Sequence, residues 1–292
     1  MPARQGQIEW ATLAVAAAIY GGWLAVTAWH AIVPTPLLIV LGGWLIAWHG
    51  SLQHETIHGH PTRWAAINHL LGFAPLGLWL PYALYDRSHV AHHGSIAITD
   101  PRHDPESRYV AHRTGLAWLA AHTQGTLPAQ MLLGPSIAVI RLLIEEAHRA
   151  ARTPLPVLRD WLPHLVAVAL LLLWLDHVGF GIDAYVLTFV YPGMALTSVR
   201  SFAEHRAGLA SPGHAASVER GGPLALLFLN NNLHAAHHAR PGLAWYALPA
   251  HHRLIRPSLV ADGATLYASY GEIARRFVWR RHDAPLHPDY AR

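Results

Sequence analysis

Residues 10–54, WATLAVAAAIYGGWLAVTAWHAIVPTPLLIVLGGWLIAWHGSLQH, run for 45 positions without an Asp, Glu, Lys or Arg. Pro34-Thr35-Pro36 interrupts the run, and no helix passes unbroken through such a turn. The stretch therefore divides into Trp10–Val33 and Leu37–Gln53. A helix rises about 1.5 Å per residue and the hydrocarbon core of a bilayer is about 30 Å thick. The first piece is long enough to span, and the second spans if its helix continues into the polar residues that follow. A second charge-poor pair lies at Trp161–Phe180 and Ala184–Ala203, joined by a connector from Asp176 to Asp183 that contains glycine but no Arg. Spans are expected at about 10–33, 37–59, 161–180 and 184–205. The first is too long for a signal peptide, and another span follows at once.

The rest of the chain agrees with a membrane setting. Of 292 residues, 52% are hydrophobic and 13% charged, with mean hydropathy +0.21; soluble domains carry about 25% charged residues. There is no Cys, which excludes disulfide frameworks, thiolate metal sites and cysteine nucleophiles. All 21 basic residues are Arg, and a net charge of +4 over this length is no nucleic-acid patch. Apart from Arg4, every Arg lies in Arg63 to Arg159 or Arg200 to Arg292, and neither hairpin connector holds one. Basic segments stay cytoplasmic, so both termini and both polar segments are expected on that side, in a bacterial inner membrane. A buried helical hairpin of a large soluble protein would need two charge-poor pairs with matching Arg asymmetry by accident. Trp64–Tyr85 and Thr114–Ile144 are apolar but broken by Pro75, Pro81, Gly125, Pro128 and Pro135, and are expected to lie on or dip into the interface. Asp262–Arg281 reads as an amphipathic basic helix, with Arg275, Arg276, Arg280 and Arg281 near lipid headgroups. The expected fold is an all-α integral membrane protein, a single domain over 1–292. It has four transmembrane helices in two hairpins and a cytoplasmic helical cap, about 60–160 and 206–292, that holds a dinuclear metal site.

Histidine, at 24 residues, outnumbers the 17 acids. His54-Glu-Thr-Ile-His58 places two imidazoles at i and i+4. His89-Val-Ala-His92-His93 and His234-Ala-Ala-His237-His238 each put i, i+3 and i+4 on one helix face. His205 stands at the end of the fourth span. His30, His69, His122, His164 and His177 read as packed or interfacial residues, and the offsets of His49 and His60 place them on another part of the helix surface. Nine clustered imidazoles exceed the four to six ligands of one ion, so two metals is the economical count. His54 lies 17 residues after Leu37, and His205 lies 21 after Ala184. Those are rises of roughly 26 and 32 Å, which bring both to the cytoplasmic membrane face with the two HxxHH clusters. Bound imidazoles need their second nitrogens held. Asp86, Asp100, Asp104 and Glu204, beside the clusters in a chain with few acids, are the candidates, and the Asn230-Asn231-Asn232 run offers an amide, with Asn231 as the candidate.

Imidazole suits Zn, Cu, Fe and Ni alike, and the Glu/Glu-x-x-His ligand set of soluble di-iron bundles is missing. The order HxxxH, HxxHH, a lone His on the last span and HxxHH, with paired hydrophobic hairpins, resembles the membrane fatty acid desaturase/hydroxylase superfamily from about residue 37 to 245. That resemblance implies His54, His58, His89, His92, His93, His205, His234, His237 and His238 as ligands of two Fe ions, with O2 as co-substrate and no catalytic residue beyond the metal centre. Stearoyl-CoA-type members carry a water-holding Asn shortly before the extra His; Ser201 occupies that neighbourhood here. The stretch Thr99-Asp-Pro-Arg-His-Asp-Pro-Glu-Ser107 and Asn-Asn-Asn-Leu-His234 are similar to rhizobitoxine-type desaturases. The chemistry implied is removal of hydrogen from an unactivated C–H bond of an acyl or other aliphatic chain, giving an alkene, or an alcohol or ketone in a hydroxylase or ketolase. The chain has no flavin fingerprint, haem-attachment motif or iron–sulfur ligand set, so electrons must come from a ferredoxin, rubredoxin or cytochrome b5-type donor docking on the Arg-rich cap.

Two other classes are open. His54-Glu55-x-x-His58 is also the HExxH zinc signature with Glu55 as general base. A membrane metalloprotease could take Asp262 as its third ligand but leaves seven clustered histidines idle. A metal transporter would place ionisable ligands near the bilayer midplane, whereas these lie beyond its edge.

Overall fold

The computed structural model describes residues 8–207 and 214–291. In chain order the helices are α1 (Trp10–Ala28), α2 (Thr35–Ile57), α3 (Ala65–Phe73), α4 (Tyr82–His93), α5 (Gly115–Thr123), α6 (Leu127–Arg152), α7 (Pro154–His177), α8 (Ile182–Tyr185), α9 (Tyr191–Ser201), α10 (Pro223–Leu227), α11 (His234–Ala239), α12 (Leu248–Ala261) and α13 (Tyr270–Phe277). A π turn at Val186–Val190 joins α8 to α9, making one rod over Ile182–Ser201. Strands β1 (Ser217–Arg220) and β2 (Leu266–Ser269) pair in parallel, with Ser217 opposite Leu266. The chain is mostly helical rather than all-α. The residues gather into two compact units, one of Ile8–Arg87 with Gly134–Thr197, the other chiefly of Ser88–Leu133 with Ser198–Arg292.

The first unit is built on α2. Without side chains at Gly42 and Gly43, α2 approaches the π turn closely: a Cβ on Gly42 would come within 2.5 Å of the Phe189 ring, and one on Gly43 within 2.8 Å of Pro192. Gly193 returns the fit against Ile46. Small residues permit such backbone approach where lipid offers no hydrophobic drive between helices. Buried polar groups pair between elements of the unit: Trp23 Nε1 donates to Tyr185 Oη at 2.8 Å, and Tyr185 Oη donates to the Leu76 carbonyl at 2.7 Å. The outer face of α7 is the reverse of a soluble helix, with Leu165, Val166, Leu170 and Leu173 all more than half exposed. Such a face needs hydrocarbon around it.

Among the described residues, five helices are long and apolar enough to cross a membrane: α1, α2, α6, α7 and the Ile182–Ser201 rod. The sequence reading expected four, with α6 broken by its prolines. Pro128 falls in the first turn of α6, where the missing N–H costs nothing, and the helix runs on through Pro135. Likewise α7 begins at Pro154 rather than Trp161 and continues through Pro163. Polar residues Ser51 to Thr56 complete α2, so the HxxxH pair sits on its last turn and cap. The basic tail is shorter than expected. Leu266–Ser269 is strand, and the helix spans only Tyr270–Phe277, capped by Ser269 Oγ accepting from the Glu272 N–H.

The second unit centres on Phe202, Leu227, Phe228, Leu229, Leu248 and Ile273, each nearly or wholly shielded. Strand β1 fixes the turn into α11. The Val218 N–H donates to the Asn232 carbonyl at 2.7 Å, Asn232 Nδ2 donates to the Val218 carbonyl at 2.7 Å, and the Ala235 N–H donates to the Ala216 carbonyl at 3.0 Å. Leu229 and Asn230 take positive φ of 46° and 56° to make that turn. Asn tolerates this region better than most side chains, and its amide is held by the Trp245 carbonyl at 3.1 Å.

Candidate metal centre

Seven of the nine predicted ligands lie in the second unit, and they sort into two sets that cut across the sequence boxes. His92, His205, His234 and His238 form one; their ligating nitrogens lie within 4.8 Å of one another. His234 Nε2 is 2.9 Å from His205 Nε2 and 3.1 Å from His238 Nε2, and His238 Nε2 is 3.4 Å from His92 Nε2. Nitrogens about 2.0–2.1 Å from a common ion stand about 3.0–3.4 Å apart along the edges of its coordination polyhedron. The observed edges fit that spacing.

The tautomers make the same point. His92 Nδ1–H donates to Asp104 Oδ1 at 2.8 Å, and His234 Nδ1–H donates to Asn231 Oδ1 at 3.0 Å. With Nδ1 protonated, each Nε2 carries a lone pair directed inward, and both face His238 Nε2. One ring proton on His238 cannot satisfy both neighbours together with His205, so a cation at the centre is the arrangement that uses all four lone pairs. Asp104 is itself positioned, accepting from the Thr99 N–H at 2.8 Å and the Glu106 N–H at 2.9 Å.

His89, His93 and His237 form the second set. His237 Nε2 lies 3.1 Å from His93 Nε2, and His89 Nδ1 is 3.2 Å from each oxygen of Glu106. Thus α4 gives His92 to one set and His89 and His93 to the other, while α11 gives His234 and His238 to one and His237 to the other. In the first unit, His54 and His58 stand together at the end of α2 with ring centroids 4.8 Å apart, His54 almost fully buried.

Electrostatics favour neutral imidazoles, which is the form that binds metal. Burial first, then neighbouring imidazoles, hold His205, His234 and His238 well below the ordinary histidine range. Burial, with His89 and His92 beside it, pushes His93 down to about 3. Burial opposes charge on His92 too, but the hydrogen bond to Asp104 and the nearby carboxylates outweigh it and raise its pKa. On Asp104 burial is likewise overcome, by the His92 bond and two backbone N–H groups, and the carboxyl is held below its usual range.

The other expected supports fall elsewhere. Glu204 pairs with Arg200 at 3.1 Å and stands 3.6 Å from His234 Nδ1. Asp100 caps its own turn, accepting from the Arg102 N–H and from Tyr290 Oη, and touches none of the box imidazoles. Asp86 lines a cavity beside α3 and α7 and hydrogen-bonds to none of the described residues. Two groups have no counterpart in the sequence reading. Glu106 supports His89 from 17 positions away, with no local signal beyond its place in the acidic Thr99–Ser107 stretch. His214 stacks at 6.0 Å on His205 and stands 5.7 Å from His238, outside both sets.

Residues 27–270 match the fatty acid desaturase family. No curated protein matches the chain, and the comparisons single out no rhizobitoxine-type branch. The match covers most of the chain and includes every histidine of both sets, so the HExxH hydrolase and transporter readings fall away: the protein belongs to the fatty acid desaturase family.

Proposed function

We propose that the protein is an O2-dependent di-iron desaturase of an acyl or other aliphatic chain, with His54, His58, His89, His92, His93, His205, His234, His237 and His238 as the ligands of two irons, one of them held by His92, His205, His234 and His238. The observation that carries this is the four-imidazole set in which His92 and His234 give their Nδ1 protons to Asp104 and Asn231, leaving their Nε2 lone pairs aimed at one point. Two irons, when bound, supply the O2 chemistry that removes hydrogen from an unactivated C–H bond. The residues do the rest. Asp104 and Asn231 fix ring orientation, Asp104 raises the basicity of His92, Glu106 holds His89 in place, and near-complete burial of His92, His234 and His237 keeps bulk water out.

Membrane topology follows from parity. His92 and His205 share one set, their ring centroids 4.8 Å apart, so the chain between them crosses the bilayer an even number of times. Three sufficiently long apolar helices lie between them: α6, α7 and the Ile182–Ser201 rod. One of these stays on a single side, and α6 is that helix. Its second half carries Arg141, Glu145, Glu146, Arg149 and Arg152, and Thr153 alone separates it from α7. The four remaining spans return both termini to one side, and the Arg distribution makes it cytoplasmic. Exposed Trp279 among Arg275, Arg276, Arg280 and Arg281 offers a basic surface to an acidic ferredoxin, rubredoxin or cytochrome b5-type donor. All of 1–292 then works as one desaturase domain.

Iron analysis of the purified protein and mass spectrometry of lipids from an expressing strain test the reading. The expected results are two irons per chain and products two mass units lighter. A gain of sixteen mass units would establish the hydroxylase, and a single zinc would end the proposal.

A further inference from the structure

The first unit contains a cavity of about 370 Å³ between α3, the start of α4 and the first turns of α7, within the size range of small-ligand sites. One wall is apolar, made by Ala66, Leu70 and Phe73; the other carries Asp86 and Arg159. Most polar groups around it are committed. Asp160 is held by Arg87 and Arg149, each at 2.7 Å, His164 Nε2–H donates to the Leu78 carbonyl at 2.8 Å, and Tyr82 Oη is paired with Thr56 at 2.9 Å. Asp86 and Arg159 are not: neither makes an ion pair or hydrogen bond to any described residue. Among the described residues lining the cavity, Asp86 thus offers a free carboxylate and Arg159 a free guanidinium beside an apolar wall, while the His69 ring rests edge-on against Tyr82.

Its position says where a ligand would come from. Leu70, Leu158 and Leu162 around it are exposed, and the lipid-facing Leu165 to Leu173 stretch of α7 follows directly. The charged wall therefore lies at headgroup depth and the apolar wall faces the acyl region. We infer that this cavity binds a zwitterionic bilayer phospholipid with a primary ammonium headgroup, Arg159 taking the phosphate and Asp86 the ammonium, with the first acyl methylenes against Leu70 and Phe73. Guanidinium matches phosphate oxygens in a two-pronged fork, and the carboxylate discriminates against lipids that carry phosphate alone. The inference rests on the bilayer setting and is separate from the redox chemistry proposed above.

Native mass spectrometry of the full-length, iron-loaded protein titrated with dioleoyl-phosphatidylethanolamine and, separately, dioleoyl-phosphatidylglycerol tests it. The ethanolamine lipid should bind about tenfold more tightly, the scale of one charge-assisted hydrogen bond. Asp86→Asn should bring the two lipids to parity by weakening only the ethanolamine lipid, and Arg159→Gln should weaken both. Ala66→Trp, which fills the apolar side without altering a charge, should displace either lipid and decides the matter if a charge variant fails to fold. Equal binding of the two lipids by the unmodified protein, or an unchanged preference in Asp86→Asn, would overturn the inference. Iron content separates this from the desaturase reading, because all three variants should keep both metals.

Discussion

The two imidazole sets of the second unit use the same helices and differ in what stands behind them. Behind His92 is Asp104, whose side chain is 2% exposed and which is gripped by two backbone N–H groups; behind His234 is the equally buried Asn231. Behind His89 is Glu106, 30% exposed, with both oxygens at 3.2 Å and no short contact. One set is backed by a dry framework fixed to the main chain, the other by a longer side chain that reaches solvent. An imidazole whose orientation is set by rigid atoms loses less freedom when it binds metal, so the His92 set should hold its ion more tightly and more dependently on its support.

The largest expected effect is at a ligand shared by several edges. His234→Ala removes the nitrogen 2.9 Å from His205 and 3.1 Å from His238, and iron should fall from about two per chain to about one, with desaturation lost. Atomic absorption on purified protein checks this. If both irons survive the substitution, the four-imidazole set is not a metal site.

Next is Asp104→Asn. The amide keeps one acceptor oxygen but cannot serve His92 and both backbone N–H groups as the carboxylate does. Loss of such outer partners costs 10–100-fold in metal affinity in general, and a fall of about that size is expected, read by competition with a chelator. The thermal midpoint should drop as well, because a buried N–H loses its partner. Glu106→Gln should be milder, about tenfold or less, since glutamine still accepts from His89 and the site is already partly solvated. Equal losses in the two variants would remove the distinction between the sets.

The sequence disclosed the clustered histidines better than their division into two sets. Offsets of three and four residues place His89, His92 and His93 on one helix face, but which imidazole joins which set depends on how α4 and α11 meet, and no spacing encodes that. Asp104 was legible as a scarce acid beside a box; Glu106, two residues on in the same acidic stretch, was not distinguished from its neighbours. Asn231 stood out through the Asn run, and its side-chain oxygen accepts from His234 Nδ1. Asp86 looked equivalent to Asp104 in sequence, yet only Asp104 sits in a turn that folds back onto α4. For the fold, α1 and α2 followed from a 45-residue absence of charge. The length of α6 did not, because Pro128 and Pro135 look like breaks until the first is seen to lie in the opening turn. Strand β1, Ser-Val-Glu-Arg, is too short to show a period, and only its pairing with β2 defines it.

The smallest expected effect is Glu219→Gln, which tests whether proximity to the boxes or mere acid–histidine pairing explains Asp104. Glu219 Oε1 stands 3.3 Å from His252 Nε2, and its carboxylate also accepts from Arg256; chemically this resembles the Asp104–His92 pair. The carboxylate is about a quarter exposed, however, and the Arg256 side chain about half exposed, where water replaces a lost partner at little cost. His252 belongs to neither imidazole set. Iron should therefore remain at about two per chain, and the thermal midpoint should move by under about 2 °C. If Glu219→Gln released as much iron as Asp104→Asn, the loss in the latter would reflect general loosening of the second unit. The contrast between an imidazole set backed by buried, main-chain-held groups and one backed by a longer, partly exposed side chain would then have no basis.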